Sequence, residues 1–205
     1  MTRHDCLKEI APHAGDALVI SIGGGSSTEW SSLRPSEGNM RVRTLGLVQS
    51  VALGLALALP KRQVLAIDGD GALLMNLCGL PTLAREAPAN LIYMVFDNGM
   101  YEASGLLRTA TATGADLVKI AIGAGIENAR WVQSPEDFKK TVLDAMREHR
   151  FAFVGAKVRS GPDYVKSFRN LPRFDVAEVE SLYRMMRYIE KTEGIRVVPF
   201  PGPRY

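Results

Sequence analysis

The sequence predicts an α/β fold, a doubly wound and mostly parallel sheet with helices on both faces. Three observations carry this expectation. Short, continuous apolar runs recur at residues 18–22, 64–67, 91–96 and 151–158. Segments with apolar residues at helical spacing separate them, and that alternation argues for parallel strand–helix–strand units. Several runs also stop at glycine-rich or acidic turns, and open α/β sheets bind ligands at the carboxyl ends of their strands.

Composition narrows the class. The chain has 205 residues, 46% of them hydrophobic, with a net charge of +3, which suits one globular domain with its own core. No polybasic run points to nucleic acid. The longest apolar run, residues 45–59, is interrupted by Gln49 and Ser50 and is too short to span a bilayer. Cys6 and Cys78 lie far apart, so no disulfide framework is implied, and the absence of a cysteine cluster argues against an iron–sulfur protein. His4, His13 and His149 lack metal-ligand spacing. The opening residues Arg3, His4 and Asp5 do not resemble a signal peptide. The expectation is a cytoplasmic chain.

In order, residues 2–13 read as a short amphipathic helix that packs Leu7 and Ile10. Residues 18–22 form a buried strand followed by Gly23-Gly24-Gly25-Ser26. A glycine turn after a first strand is either a flexible loop or a phosphate cradle. It lacks the full dinucleotide fingerprint, which disfavours a nicotinamide-binding fold. Residues 30–39 read as a polar loop. Residues 41–47 lead into a small-residue helix ending at Pro60, with Gly46, Ser50 and Gly54 offering a smooth face for close packing.

The central stretch follows. Residues 64–67 form a strand that stops at Asp68-Gly69-Asp70-Gly71. Residues 72–87 carry Leu73, Leu77, Leu80 and Leu83 on nearly one helical face, and Pro88 and Asn90 break the helix. Residues 91–96 form the next strand, which ends at Asp97-Asn98-Gly99. Adjacent parallel strands would bring Asp70 and Asn98 side by side. A carboxylate, an amide oxygen and a free backbone carbonyl make a hard, oxygen-only site, suited to Mg²⁺ held together with phosphate oxygens.

Beyond it, residues 116–122 read as a helix and 129–132 as a strand. Ser134, Pro135, Glu136 and Asp137 mark a helix start by N-cap, N1 proline and first-turn acids. Residues 151–158 are the last strand. Residues 175–193 read as a helix with Val176, Val179, Leu182, Met185, Met186 and Ile189 as its apolar stripe. The proline-bearing tail to Tyr205 reads as extended, lying on a neighbour. Two segments result, residues 1–170 as the ligand-binding domain and 171–205 as its C-terminal extension.

The spacing from Gly69-Asp70-Gly71 to Asp97-Asn98 resembles the thiamine diphosphate motif of the 2-oxo acid decarboxylase superfamily. The flanks GDGALLMNL and PANLIYMVFDNGMYEASG are most similar to the short β subunits of sulfopyruvate decarboxylases and the matching part of phosphonopyruvate decarboxylases. The similarity runs over residues 18–158. The resemblance implies Mg²⁺ on Asp70, Asn98 and the Met100 carbonyl. It also implies cofactor contacts from Gly24, Gly25, Ser26, Gly69, Gly71, Ala72 and Tyr101. Leu45 would support the bent cofactor, and the Arg43 carbonyl would meet its pyrimidine amino group. Two departures stand out: Arg43 replaces a usual glycine, and Leu106-Leu107 replace a GGQ-like turn.

The family's activating glutamate belongs to a second α/β domain, for which this chain has no room, and Glu102 lies in the wrong half. The resemblance therefore implies an obligate partner subunit carrying the pyrimidine-binding domain, in a hetero-oligomer. The implied activity is decarboxylation of a small anionic 2-oxo acid, with Arg43, Arg108 and Lys157 as candidate anion contacts. Alternatives are an acetolactate synthase-like carboligase and a regulatory subunit without turnover, the latter disfavoured by intact Asp70 and Asn98.

Overall fold

A computed structural model describes residues 1–172 and 176–197. The chain begins with α1 (Arg3–Ile10), closed by a Thr2–Asp5 capping box, and enters β1 (Leu18–Ile22). Then come α2 (Gly25–Leu33), β2 (Asn39–Val42), α3 (Val48–Ala58) and β3 (Val64–Gly69). The middle holds α4 (Asp70–Leu74), α5 (Leu80–Glu86), β4 (Leu91–Asp97) and a short hairpin, β5 (Met100–Tyr101) with β6 (Leu107–Arg108). The remainder is α6 (Leu117–Gly123), β7 (Ala129–Val132), α7 (Pro135–Arg147), β8 (Ala152–Lys157), α8 (Pro162–Arg169) and α9 (Glu178–Glu193).

Six strands form one sheet in the order β2-β1-β3-β4-β8-β7, and every pairing in it is parallel. The predicted doubly wound fold is what the chain adopts. Each central strand is buried on both faces, which explains why these runs are continuously apolar rather than alternating. Leu18, Ile20, Val64, Ala66, Tyr93 and Phe153 face a core shared with α3, α5, α6 and α9. Val19, Leu65, Ile67, Met94 and Phe96 face a second core with α1, α2 and α7. Strand order reverses between β1 and β3, since β1 leads outward to β2 and the chain then crosses to β3. A crevice opens at such a reversal, above the carboxyl ends of the two strands.

Several expectations needed correction. Residues 39–42 are the edge strand β2 rather than loop and lead-in, and α3 starts only at Val48. β2 alternates polar Asn39 and Arg41 with buried Met40 and Val42, and α9 covers its edge: Arg41 N–H donates to Ser181 Oγ at 3.2 Å and Arg43 N–H, just past the strand, to Glu178 Oε1 at 2.9 Å. The single helix expected over 72–87 is α4, a 3-10 turn at Leu77–Gly79 and α5. Asn76 leaves helical geometry at φ −148°. Its Nδ2 donates to Gly46 O at 2.8 Å and its carbonyl accepts from the Gln49 amide, so the turn before α3 replaces helical bonding. Pro81 cannot supply an interior helical N–H, which completes the break.

Of the expected small-residue face only Gly46, just ahead of α3, is packed: a Cβ there would lie 2.9 Å from Asn76 Cβ. Val48, Gln49, Ala52 and Ala56 are the buried positions, while Ser50 and Gly54 are exposed. Cys78 is exposed rather than part of an apolar face. Helix α8 was not anticipated. In α9, Met185 and Ile189 are buried but Val179 and Leu182 are exposed. Residue 175 and the tail from 198 lie outside the described residues.

Candidate active site

A cleft of about 860 Å³ opens at the reversal point. Its floor is built by two strand ends and a glycine turn. At the end of β1, Gly24 adopts φ +96°, a conformation that favours glycine, and turns the chain directly into α2. The first backbone N–H groups of a helix have no partners within it, so Gly25 and Ser26 present donors at the cleft wall.

At the end of β3, Gly69 is the N-cap of α4 and Asp70 its first residue. Gly71 is needed for close approach: a Cβ there would lie 2.4 Å from Tyr101 Cε1 and 3.2 Å from Thr109 Cγ2. The Tyr101 ring thus lies flush on the acidic turn. Strand β4 pairs with β3 so that Gly69 sits opposite Phe96. Asp97 and Asn98 therefore follow one step beyond. The Asn98 side-chain oxygen accepts from Met100 N–H at 2.8 Å, which folds the turn back toward the cleft.

Every residue expected from the resemblance to touch metal or cofactor lines this one cleft: Gly24, Gly25, Ser26, Arg43, Leu45, Gly69, Asp70, Gly71, Ala72, Asn98, Met100 and Tyr101. Of the three candidate anion contacts, only Arg43 does. Lys157 is engaged elsewhere, ion-paired to Asp97 and lying 4.6 Å from the Trp131 ring centroid. Arg108 donates to Ala112 O at 2.9 Å within its own loop. Arg169 of α8 joins Arg43 at the cleft.

Spacing and composition carried no signal for several neighbours. Asp70 is 2% exposed and its Oδ2 meets the hydroxyls of Thr109 at 2.6 Å and Thr111 at 3.0 Å. Burial holds its carboxyl above the usual value; the threonine hydroxyls work against that and nearby Asp97 adds to it. Asp68, behind the turn, is fully buried and bonded to Tyr93 Oη and Gly69 N–H. Burial, against those bonds, pushes its carboxyl up to about 6.

A second buried cluster walls the cleft. Arg3 pairs with Glu29 at 2.8 Å and Glu102 at 3.5 Å, and Tyr164 Oη donates to Glu29 at 2.5 Å. Ser160 Oγ donates to Glu102 at 2.8 Å. Burial pulls the Arg3 guanidinium down, but Glu29 and Glu102 together hold it above its ordinary value.

The donor set fits a divalent hard cation with a phosphate group. Asp70 brings a carboxylate, Asn98 an amide oxygen and Met100 a carbonyl, around a cleft that also presents helix N–H groups. Among the described residues no group of three or more His, Cys, Asp or Glu side chains could hold a metal, so the fit rests on mixed oxygen donors.

Fold and cleft together define a parallel α/β domain with an oxygen-donor cleft at its switch point. Residues 36–156 match the family described as thiamine pyrophosphate enzyme, C-terminal TPP binding domain, and the chain belongs to that family. It is 31% identical to sulfopyruvate decarboxylase subunit beta of Methanocaldococcus jannaschii, covering 93% of this chain and 98% of that one. It is 33% identical to phosphonopyruvate decarboxylase of Streptomyces viridochromogenes over 71% of this chain, but spans only 36% of that protein. The fold is that of the crystal structure of benzoylformate decarboxylase from Polynucleobacter necessarius, at a TM-score of 0.61 and 17% identity. That match covers 78% of this chain and 33% of the other.

Proposed function

We propose that this chain is the diphosphate- and Mg²⁺-binding subunit of a two-subunit, thiamine diphosphate-dependent decarboxylase of a small anionic 2-oxo acid. The substrate is of the sulfopyruvate or phosphonopyruvate type. The observation that carries this reading is the convergence of the Asp70 turn, the Asn98 turn and the Gly24–Ser26 turn on one cleft. When bound, thiamine diphosphate supplies the electron sink that lets a 2-oxo acid lose carbon dioxide.

The chain's own residues have separable roles. Asp70, Asn98 and the Met100 carbonyl hold Mg²⁺, and the N–H groups at Gly25 and Ser26 hold the diphosphate. Leu45, 38% exposed at the cleft, supports the cofactor's apolar face, and the Arg43 carbonyl takes the pyrimidine amino group. Tyr101, at the cleft, packs its ring against Gly71 of the acidic turn. Arg43 and Arg169 place two cations at the cleft, where the substrate's anionic head enters. Arg43→Gln is expected to raise KM for sulfopyruvate about tenfold with kcat less affected, the loss expected for one charge-assisted contact.

The activating glutamate is assigned to a partner subunit with the pyrimidine-binding domain. Support comes from the near-complete coverage of a protein named a beta subunit, against 36% coverage of the longer phosphonopyruvate decarboxylase. Residues 1–170 are read as the binding domain and 171–205 as its extension, supported by Met185 and Ile189 in the core. Cys6 and Cys78 are free thiols, which suits the cytoplasm. No described helix is long and apolar enough to cross a membrane.

The test is release of carbon dioxide by the chain co-produced with its genomic neighbour, given thiamine diphosphate, Mg²⁺ and a panel of 2-oxo acids including sulfopyruvate and phosphonopyruvate. Turnover that requires both chains is the expected result. Carbon–carbon bond formation instead of simple release would replace this reading with carboligation, and absence of cofactor binding would overturn the site assignment.

A further inference from the structure

A short loop ties together the two turns that meet at the cleft. It is the 3-10 turn Ala110–Thr113 with Thr109 before it. Thr109 N–H donates to Gly99 O at 2.9 Å, anchoring the loop to the Asn98 turn. The Thr109 and Thr111 hydroxyls, 2.8 Å apart, both reach Asp70 Oδ2, and Thr111 also lies 2.7 Å from Asp97 Oδ1. Asp97 is held from its other side by Lys157. The result is one chain of contacts, Asp70–Thr111–Asp97–Lys157, running from β3 across β4 to β8.

The geometry is selective. Both hydroxyls fall on the same oxygen of Asp70, so Oδ1 takes no side-chain donor from the loop and the carboxylate has one fixed orientation in the cleft. Two hydroxyls carry two protons between them. They are shared among two buried carboxylates, so both threonines are fully committed to orienting acids rather than to solvent.

We propose that Thr109 and Thr111 are positioning residues: they fix the Asp70 carboxylate and its spacing from the Asp97–Asn98 turn so that a divalent cation meets both at once. This rests on the reading of Asp70 and Asn98 as Mg²⁺ ligands. Groups that orient a metal ligand from behind contribute about 10- to 100-fold in metal affinity.

The test uses the full chain co-produced with its partner. Binding of thiamine diphosphate, followed by quenching of tryptophan fluorescence, is measured against Mg²⁺ concentration. The melting temperature without metal is recorded for each variant. Thr111→Val keeps the shape and loses the hydroxyl. It is expected to raise the Mg²⁺ concentration at half-saturation about tenfold or more, with the metal-free melting temperature little changed. Thr111→Ser is expected to restore the wild-type midpoint, and Thr109→Val to act in the same direction as Thr111→Val. Wild-type midpoints in both valine variants would overturn the proposal. So would a serine variant as impaired as the valine one, because then methyl packing is what matters. A wild-type protein whose thiamine diphosphate binding is independent of Mg²⁺ would remove the underlying metal reading, and the proposal with it.

Discussion

Asp70 shows how a single residue is held ready at a cost. It is nearly buried at the head of a helix, and burial disfavours its charge. Removing it should therefore relieve the fold rather than damage it. Asp70→Ala is expected to abolish Mg²⁺-dependent binding of thiamine diphosphate while the melting temperature stays level or rises, as calorimetry and cofactor titration would show. Arg3 is the opposite case. It balances Glu29, whose side chain is 1% exposed, and removing one partner of a buried pair leaves an uncompensated charge. Arg3→Met is expected to lower stability by about 3–5 kcal/mol in denaturant titrations. A loss below 1 kcal/mol would show that Tyr164 alone suffices for Glu29.

Elements in this chain begin and end where side chains take over backbone bonds. Asn90 read from sequence as a helix breaker. In the fold it does something else: its Nδ2 lies 3.1, 3.0 and 2.8 Å from the carbonyls of Ala56, Leu59 and Arg62, closing the C-terminus of α3 from a different segment. Asn90→Ala leaves those carbonyls buried and under-satisfied, and should cost about 1–3 kcal/mol with an unchanged denaturant slope. Asp116 caps α6, accepting from Val118 and Lys119 N–H at 3.1 and 3.0 Å and from Trp131 Nε1 at 2.9 Å. These bonds outweigh a desolvation effect of opposite sign and hold its carboxyl below the usual value. A carboxyl lowered on folding stabilises above its unfolded pKa of about 3.9. That contribution is lost as pH falls through the folded value. Asp116→Ala should therefore cost about 1 kcal/mol at pH 7. The gap from wild type should narrow as pH falls below about 4, the unfolded value. A gap that stays constant in thermal melts as pH is lowered from 7 into the acid range would contradict this.

At the scale of the whole molecule, the strand order makes the cleft. The glycine turn after β1 and the acidic turn after β3 are far apart in sequence, yet neighbours at the reversal point. The same arrangement draws the N-terminal α1 and the late helix α8 onto one wall through Arg3, Glu29 and Tyr164. The central strands and the Asp70 and Asn98 turns were legible because a strand buried on both faces must be continuously apolar. Glycine and acidic residues also punctuate strand ends for local steric reasons. The edge strand β2 was illegible because it is only four residues long with two of them polar, and what makes them a strand is pairing with β1 and cover from α9. The interruption of the helix after α4 was only partly legible: Pro81 is a local signal for it, but the groups that replace its bonds arrive from α3 and the turn before it.

By itself, then, the sequence determined the fold class, the central strands and the Asp70 and Asn98 turns, because these depend on local periodicity, turn sterics and ligand chemistry; the other expected cleft contacts came from the family resemblance. Only the tertiary structure decided which polar groups stand behind them. Thr109, Thr111, Lys157 and the Arg3 cluster acquire their partners across long sequence separations. No local pattern encodes which distant carboxylate a hydroxyl or guanidinium will meet; that is settled when the sheet assembles and buries the charges that must be paired.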